Sequence, residues 1–398
     1  MKIALWNNLP SGGGKRALRA MAEGLIARGH QLESWCPPTA CLDFEPMAEL
    51  MSEHVVDYRR LRRRPLNRFL PGRRGFGRQY QEMERHAQEC ARQIDAGQFD
   101  VCLIGNCQEF AVPPIGRYLR TPSVHYCQEL WRGLHEALLH EEGTAGSGLQ
   151  AKVVDLILSY WQNWQRSCER VDLAAFDLVL VNSCYSRESL LRAHGRESKV
   201  CYLGVDSTRF KVNDSIRSKT VIGLGALQRH KDLRTAILAV ASIPEQDRPT
   251  LIWVGNAAEE DYATEIEELA RNRDVNLVLR RRITDEALVS ELNGAALMIY
   301  TSHLEPFGFA PLEANACSTP VVAIGEGGVR ETVRDDFNGV LVPDRDPIQL
   351  GAAVNDLLHD PRRARRLGEN GRKWVAQFWT WERCTERLEQ LLMDVLRR

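Results

Sequence analysis

The chain opens with a short run of hydrophobic residues followed by hydrophobic residues at helical spacing. Residues 3–6 are all hydrophobic and predict a buried strand over 2–6, and the three glycines at 12–14 predict a loop. Beyond them, Leu18, Met21 and Leu25 recur every three or four positions, which is typical of an amphipathic helix. Gly29 ends that helix. The opening segment is therefore predicted to be strand, loop and helix.

The same order of elements recurs in the middle of the chain. Residues 221–224 predict a strand, a polar loop runs through Lys231, a helix contains Ile237 and Val240, and residues 251–254 predict a second strand. Further strand candidates, hydrophobic over most of their length, lie at 177–181, 295–300 and 319–324. Strands that alternate with helices and are hydrophobic throughout indicate mostly parallel sheets covered on both faces.

Two strand–loop–helix segments of this kind in a chain of 398 residues predict two α/β domains. The polar stretch 204–218 has the composition of a linker, so we place one Rossmann-like domain at 1–205 and a second at 215–375, with a cleft between them. The last segment, 376–398, continues a tryptophan-rich stretch and is predicted to be a helix that crosses back to the first domain.

Composition excludes several classes of protein. Lys and Arg number 52 against 53 Asp and Glu, so net charge gives no indication of nucleic-acid binding. The hydrophobic run at the start is too short for a secretion signal, and no other run reaches membrane-spanning length. The eleven cysteines include no C-x-x-C pair, which is typical of reduced thiols. We therefore expect a cytoplasmic protein.

The segment 302–314 carries the clearest candidate chemistry, because it joins a predicted strand to a predicted helix. Pro311 suits the first turn of a helix, so nearby backbone amides lack helical partners and can bind an anion such as a phosphate. Glu305 and Glu313 flank this position and can accept hydrogen bonds from sugar and ribose hydroxyls. The residues that supply the amides are Phe307, Gly308, Phe309 and Ala310.

The spacing of Glu305 and Glu313 resembles the E-x7-E motif of family 4 retaining glycosyltransferases, which are of group 1 type and have the two-domain GT-B fold. Other segments are similar to the same family: Asn182-Ser183, Gly204-Val205-Asp206, Phe210, Pro320-Val321-Val322-Ala323, Gly327-Gly328, Glu331 and Asn338-Gly339. The resemblance implies that the first domain binds the acceptor and the second a nucleotide diphosphate sugar. It also implies that Glu305 accepts from the donor sugar, that Glu313 binds the ribose, and that transfer retains the anomeric configuration.

Residues 225–231 resemble the family's "GRLxxxKG" loop, whose Arg and Lys neutralise the donor diphosphate. Lys231 matches the lysine, but Ala226 stands where the arginine is usual, so Arg229 or His230 is expected to assist. A departing nucleoside diphosphate accumulates negative charge, which cations and amide dipoles can stabilise without a metal ion.

Two predicted site elements lie in the first domain. Gly13 and Gly14 correspond to the family's Gly-Gly loop, although a tight turn without a ligand explains them equally well. Residues 124–132 resemble the family's "YCHxPxR" segment, with Gln128 at the position of the histidine. His125 is the nearby residue that can compensate, and we expect either His125 or Gln128 to act beside the reacting sugar.

An apparent D-x-D metal motif, Asp344-Arg345-Asp346, is better explained as a helix start. Asp346 is followed by Pro347 and, three residues after the cap, by Gln349, which is the pattern of a capped helix. We therefore predict no metal ligands and no cofactor apart from the nucleotide sugar co-substrate.

Nine arginines interleaved with hydrophobic residues lie between positions 59 and 78: Arg59, Arg60, Arg62, Arg63, Arg64, Arg68, Arg73, Arg74 and Arg78. A membrane-surface patch and a solvated loop both fit this composition. The first interpretation predicts peripheral contact with the inner membrane face and a lipid-linked acceptor.

The resemblance thus implies a metal-independent, retaining hexosyltransferase that acts on a glycan or lipid-linked acceptor, and we favour GDP-mannose over UDP-hexoses as its donor. Two alternatives stay open. One is an inactive nucleotide-sugar-binding partner subunit, which Ala226 and Gln128 suggest; the other is a nucleotide-sugar epimerase or phosphorylase with the same fold.

Overall fold

The computed structural model describes residues 1–61, 73–136, 149–255 and 259–397. The chain divides into two compact units. The N-terminal unit comprises Met1–Asn182, Ser186–Tyr202 and Cys384–Arg398, and the C-terminal unit comprises Ser183–Tyr185 and Leu203–Arg383. The predicted crossing segment began at residue 376, whereas in the structure the chain joins the N-terminal unit at Cys384.

The strands of the first sheet are β1 (Lys2–Asn8), β2 (Gln31–Cys36), β3 (Ser52–Val55), β4 (Val101–Cys107), β5 (Ser123–Cys127), β6 (Leu178–Val181) and β7 (Lys199–Val200). Those of the second are β8 (Thr220–Leu224), β9 (Thr250–Gly255), β10 (Leu277–Arg281), β11 (Leu297–Tyr300), β12 (Val321–Ile324) and β13 (Gly339–Val342).

The helices are α1 (Gly13–Ala27), α2 (Arg73–Ala96), α3 (Arg132–His135), α4 (Leu149–Ala174), α5 (Cys184–His194), α6 (Leu233–Ser242), α7 (Glu260–Asn272), α8 (Asp285–Gly294), α9 (Phe309–Ala316), α10 (Val329–Thr332), α11 (Pro347–His359), α12 (Pro361–Phe378) and α13 (Trp381–Leu396). Short 3₁₀ turns occur at Met47–Glu49, Pro114–Arg117, Arg229–Lys231 and Glu245–Asp247.

Both sheets are parallel at every strand pair in the described residues. Their strand orders are β3-β2-β1-β4-β5-β6-β7 and β10-β9-β8-β11-β12-β13. In each sheet the chain builds outward from one strand and then returns to build on its other side, so the order reverses between β1 and β4 and between β8 and β11. Ligands of open α/β sheets bind outside the carboxyl ends of the strands at such a reversal.

The hydrophobic runs form buried strands, as the sequence predicted. Strand β1 is buried from Ile3 onward, and α1 ends two residues before Gly29, whose φ is +86°. In the C-terminal unit, Trp253 of β9 is 1% exposed and lies against Gly223 of β8, where a side chain would have no room. Strands such as β4, β11 and β12 are buried at every residue, as is typical of parallel sheets covered on both faces, which explains why they do not alternate between hydrophobic and polar residues.

Two further sequence predictions concern the thiols and the membrane. All eleven cysteines are free, and only Cys184 is exposed. Across the helices that the structure describes, no stretch is both long enough and hydrophobic enough to span a bilayer.

Candidate functional site

The reversal point of the second sheet brings together two residues that the sequence singled out. Lys231 lies on the loop after β8, and Glu305 lies on the loop after β11, the neighbouring strand. The Lys231 Nζ is 2.6 Å from the Glu305 Oε2, and each side chain is 20% exposed. A short ion pair in this position concentrates charge at the edge of the sheet where anionic ligands bind.

Backbone contacts hold the two loops side by side. The His303 amide donates to the His230 carbonyl at 2.8 Å, and the Thr301 hydroxyl donates to the carbonyls of Lys231 and Asp232 at 3.1 and 2.9 Å. The side chain of Lys231 also packs on Gly225, where a Cβ would come within 3.0 Å of its Cγ. The lysine is therefore positioned by the surrounding backbone as well as by its salt bridge.

Helix α9 begins at Phe309, two residues earlier than Pro311, which falls in its first turn. Gly308 caps the helix with φ +98°, a left-handed conformation that favours glycine. The amides of Phe309 and Ala310 open the helix, where no intrahelical acceptor is available to them. The predicted anion site thus lies on the loop that carries Glu305.

A network that the sequence did not reveal lies next to this pair. The Glu326 Oε1 accepts from the Arg345 Nη1 at 3.0 Å and contacts the His303 Nδ1 at 3.0 Å. Arg345 also reaches the Asp232 Oδ2 at 3.1 Å and donates to the Thr301 carbonyl at 2.8 Å. These residues follow four neighbouring strands, β8, β11, β12 and β13, so only the order of strands in the sheet shows that they meet.

The pKa values of two carboxyl groups in this network are shifted in opposite directions. Burial acts to raise the pKa of Glu326, but His303 and Arg345 outweigh it and hold the pKa below its ordinary value. For Asp232, burial dominates over the contacts with Thr235 and Arg345 and raises the pKa. Asp232 also has a positive φ of +50° and caps α6.

The glycine pair 327–328 lets its backbone lie close to the backbone of the loop that carries Glu305. The Gly328 amide donates to the Glu305 carbonyl at 2.8 Å, and a Cβ on Gly328 would lie 2.2 Å from the Pro306 carbonyl oxygen. A Cβ on Gly327 would lie 2.6 Å from the Glu305 oxygen. Close approach of two backbones is thus the reason for glycine here.

We therefore expect Gly328→Ala to lower the free energy of unfolding by about 2 kcal/mol or more, because backbone rather than a flexible side chain must move. Denaturant titration measures this. Gly294→Ala is the matched control, since a Cβ there has nothing within 4 Å and the residue ends α8. Equal stability of the two variants would contradict the tight contact.

Aromatic residues near the end of the C-terminal unit support the start of α9. Phe307 packs edge-on against Trp379 with ring centroids 5.6 Å apart, and Phe309 lies 6.3 Å from Trp381. Trp379 in turn packs on Trp374 at 5.5 Å. Residues of the tryptophan-rich stretch therefore pack against the loop and helix start that are predicted to bind phosphate.

The other two side chains predicted to bind the donor, Arg229 and Glu313, do not belong to the contacts around Lys231 and Glu305 described above. Arg229 pairs with Glu265 of α7 at 3.1 Å and stacks over Tyr262, so its guanidinium is directed towards that helix. Glu313 lies on α9 with a partly exposed side chain, one turn beyond the amides of Phe309 and Ala310. Its role as a ribose ligand stays a prediction.

In the N-terminal unit, the structure brings together Gly14, which follows β1, and Gln128, which follows β5, one strand beyond the reversal point of the first sheet. Gly14 lies in the first turn of α1, and its carbonyl accepts from the Gln128 Nε2 at 3.0 Å. Asn106 and Asn182 hold the Gln128 backbone: its amide donates to Asn106 Oδ1 and its carbonyl accepts from Asn182 Nδ2, both at 2.9 Å. Gly13 is the first residue of α1.

His125 lies in a different environment. Its ring is fully buried, stacks on Phe176 at 4.9 Å and contacts the Ile104 carbonyl at 3.1 Å through Nδ1. Burial lowers the pKa of His125 to about 4, so the ring is neutral. A ring that packs in the core does not face a substrate, so this environment favours Gln128 over His125, and the role of either residue in transfer stays a prediction.

A buried lysine also lies beside the glycine loop. Lys15 is 0% exposed and donates to Asn7 Oδ1 at 3.3 Å. Burial lowers its pKa, and the charge of Glu53 only partly opposes that effect. Its position after the three glycines was visible in the sequence, but its burial was not.

The contact of Gly14 with Gln128 can be tested by stability. We expect Gly14→Ala to cost about 1 to 2 kcal/mol, because a Cβ would lie 2.3 Å from the Gln128 Oε1 and displace the amide from its hydrogen bond. In a Gln128→Ala background the same change should cost nothing or stabilise α1. Denaturant titration of the four proteins gives the coupling energy. Gly77→Ala, which meets nothing within 4 Å, should be additive with Gln128→Ala; additivity for Gly14 as well would refute the contact.

Two other predicted features have different outcomes. Asp346 caps α11 by accepting from the Ile348 amide at 2.8 Å and the Gln349 side chain at 3.1 Å, which confirms the capping interpretation. Within the arginine-rich segment, Arg62, Arg63, Arg64 and Arg68 lie outside the described residues, as do the side chains of Arg73 and Arg74. Arg60 pairs with Glu109 at 3.2 Å, and Arg59 and Arg78 are exposed.

Two parallel Rossmann-like sheets, with the candidate residues at their reversal points, define the class of α/β protein called GT-B. Residues 11–209 match the family described as "Glycosyltransferase Family 4", and residues 205–374 match "Glycosyl transferases group 1". The chain belongs to glycosyltransferase family 4, as the motif spacing indicated.

Similar proteins include two curated relatives. The chain is 31% identical over 244 residues to the GDP-mannose-dependent alpha-(1-6)-phosphatidylinositol monomannoside mannosyltransferase of Mycolicibacterium smegmatis, covering 54% of this chain and 62% of the relative. It is 27% identical over 257 residues to the D-inositol 3-phosphate glycosyltransferase of Corynebacterium kroppenstedtii, covering 59% and 57%. The matched region thus spans less than two thirds of each relative.

Solved structures agree on the fold. Sucrose-phosphate synthase from Thermosynechococcus elongatus has a TM-score of 0.77 at 21% identity, covering 100% of this chain and 99% of that one. HepE of Anabaena in complex with UDP has a TM-score of 0.74 at 20% identity, covering 99% and 100%. At this identity the likeness supports the fold alone.

Proposed function

We propose that the protein is a retaining glycosyltransferase that moves a hexose from a nucleotide diphosphate sugar to a glycan or lipid-linked acceptor without a metal ion at the donor site. The observation that carries the proposal is the contact between Lys231 and Glu305 beside the start of α9. It combines a cation, an acid and helix amides at the reversal point of one sheet.

The ion pair suggests an exchange of partners on donor binding. Without donor, Glu305 is the counter-ion of Lys231. A diphosphate on the amides of Phe309 and Ala310 carries more negative charge than one carboxylate and competes for the ammonium. The released carboxylate can then accept hydrogen bonds from the transferred sugar, so one step of binding prepares both ends of the donor.

The same groups supply the chemistry of transfer. When the sugar–phosphate bond breaks, negative charge develops on the leaving diphosphate, and Lys231 with the helix amides stabilises it where it develops. Attack by the acceptor on the face from which the diphosphate departs retains the anomeric configuration. We assign Gln128 to the neighbourhood of the reacting sugar, and Arg229 and Glu313 to auxiliary donor contacts.

We propose a hexose donor and place GDP-mannose before UDP-hexoses. The printed name of the Mycolicibacterium relative specifies GDP-mannose, whereas the HepE structures contain UDP or UDP-glucose. The arginine-rich segment 59–78 supports a lipid-linked acceptor at a membrane surface, with the protein itself in the cytoplasm.

The direct test has two stages. Thermal shifts with GDP, UDP and ADP identify the base, because a ligand that binds only the folded state raises the midpoint. Turnover of the matching sugar donors is then followed by release of nucleoside diphosphate and by NMR of the product anomer. Adding Mg²⁺ or Mn²⁺ to dialysed protein should leave the rate unchanged.

Each alternative gives a different result in this assay. Nucleotide binding without turnover on any donor and acceptor indicates an inactive binding subunit. Donor consumption without acceptor, or turnover that needs inorganic phosphate, indicates an epimerase or a phosphorylase. An inverted anomer would contradict the retaining mechanism.

A further inference from the structure

A cluster of two histidines and one glutamate lies in the N-terminal unit, among residues for which the proposed function has no use. The Glu169 Oε2 is 2.7 Å from the His135 Nε2 and 3.4 Å from the His194 Nε2. The two imidazole rings are 4.7 Å apart at an angle of 67°. One ligand atom from each residue lies within 4.8 Å of the other two.

The cluster is buried and its polar atoms are poorly satisfied. The side chains of His135, Glu169 and His194 are 5%, 2% and 1% exposed. Among the described residues, the His194 Nδ1 and the Glu169 Oε1 have no hydrogen-bond partner, and the His194 Nε2 has only its 3.4 Å contact with the Glu169 Oε2. Burying such groups without partners costs free energy, so the arrangement calls for a ligand that can bond to several of them at once.

The distances suit a small transition-metal ion. Metal–ligand bonds of about 2.0 to 2.2 Å in a tetrahedral site place the ligand atoms about 3.3 to 3.6 Å apart. The contact of Glu169 with His194, at 3.4 Å, falls in this range, and the contact with His135, at 2.7 Å, is shorter, so a side-chain rotation that separates that pair brings the three atoms towards one centre. Two imidazoles and one carboxylate favour Zn²⁺ and similar borderline ions over Ca²⁺ or Mg²⁺, which prefer oxygen ligands.

The supporting structure holds the ligands in place. His135 is the last residue of α3 and His194 the last of α5, and a helix carboxyl end favours a cation. Arg166 of α4 donates twice to the Leu134 carbonyl, at 2.6 and 3.2 Å, and so anchors α3 next to Glu169. Three elements distant in sequence therefore converge on one centre.

We propose that His135, Glu169 and His194 form a structural site for one divalent transition-metal ion, Zn²⁺ in the first place, which ties α3, α4 and α5 together. A water molecule completes the fourth position. The ion stabilises the N-terminal unit and takes no part in stabilising the leaving diphosphate, whose proposed ligands lie in the C-terminal unit. The proposed metal-independent donor site and the proposed metal site in the N-terminal unit are therefore tested independently.

The test uses full-length protein with any affinity tag removed, stripped with a chelator and titrated with Zn²⁺ by calorimetry. We expect one ion per chain and a rise in the thermal midpoint on loading. Glu169→Gln and His194→Asn should each weaken Zn²⁺ binding roughly 100-fold, since each removes one of three ligands. His54→Gln is the matched control: His54 also contacts a glutamate, Glu33, at 3.0 Å, but its side chain is 40% exposed and lies outside the cluster.

Co²⁺ gives a readout that does not depend on the stability of any variant. A tetrahedral site with two nitrogen and two oxygen ligands should give wild-type protein an intense visible absorption that saturates at one Co²⁺ per chain and disappears on addition of Zn²⁺. Should Glu169→Gln or His194→Asn fail to fold, His135→Gln replaces them, because His135 is the most exposed of the three. Wild-type protein that lacks the Co²⁺ band, or that binds Zn²⁺ no more tightly than the cluster variants, would overturn the proposal.

Discussion

Lys231→Ala is expected to weaken binding of the donor nucleoside diphosphate about 100-fold and to lower kcat/KM by a larger factor. The substitution removes a cation from the loop after β8 and, with it, the ion pair that Lys231 forms with the Glu305 carboxylate at 2.6 Å. The diphosphate then meets a negative charge in place of a positive one. Because the leaving group is more negative in the transition state than in the ground state, the loss in kcat/KM exceeds the loss in binding.

Calorimetric titration with GDP and UDP measures the affinity for the nucleoside diphosphate. Initial rates with the preferred donor measure kcat/KM. Lys231→Arg retains the charge and should recover most of the nucleotide affinity. Lys219→Ala is the matched control, because Lys219 also belongs to the C-terminal unit and is paired with an acid, Asp247, at 3.8 Å on the surface. Normal nucleotide binding by Lys231→Ala would remove the basis of the proposed donor site.

The sequence predicted most of the fold because burial leaves a local signal. Strands covered on both faces are hydrophobic along most of their length, and the predicted strands at 177–181, 221–224 and 319–324 coincide with β6, β8 and β12 to within two residues. Helix ends were equally local, as Gly29 and Asp346 show. These features depend on neighbours within a few positions along the chain.

The site was only partly predictable because its contacts depend on the order of strands. Lys231 and Glu305 were found through their motifs, but Arg345 was dismissed with the D-x-D pattern, although it joins Glu326 to Asp232. No periodicity places the loop after β13 beside the loop after β8. Likewise, the direction of the His125 ring follows from the tertiary packing of Phe176.

Backbone conformation was also invisible in the sequence at one position. Leu304 adopts φ +45°, an uncommon conformation for a residue other than glycine, and it directly precedes Glu305. The Leu304 amide donates to the Glu326 Oε1 at 3.2 Å, so the same carboxylate that binds Arg345 holds this turn. Strain that is held by surrounding contacts is a common property of ligand-binding loops.

Glu305→Gln is expected to slow transfer while nucleotide binding is kept or strengthened, whereas Lys231→Ala weakens nucleotide binding as well. The amide cannot form an ion pair, so residue 305 no longer competes with the diphosphate for Lys231. Free nucleoside diphosphate should therefore bind as tightly as in the wild type or up to about tenfold more tightly. Transfer should nevertheless slow by roughly 100- to 1,000-fold, because a neutral amide is a weaker acceptor for the hydroxyls of a sugar whose charge develops in the transition state.

Glu291→Gln is the matched control for that experiment, since Glu291 pairs with Arg280 at 3.0 Å on the surface of the same unit, and it should change neither quantity. The double variant Lys231→Ala, Glu305→Gln completes the cycle: removing the carboxylate should restore part of the nucleotide affinity lost with the lysine, because the repulsion disappears with it. If Glu305→Gln instead weakened nucleotide binding as Lys231→Ala does, the carboxylate would be a direct partner in nucleotide binding, and the exchange of Lys231 from Glu305 to the diphosphate would be refuted.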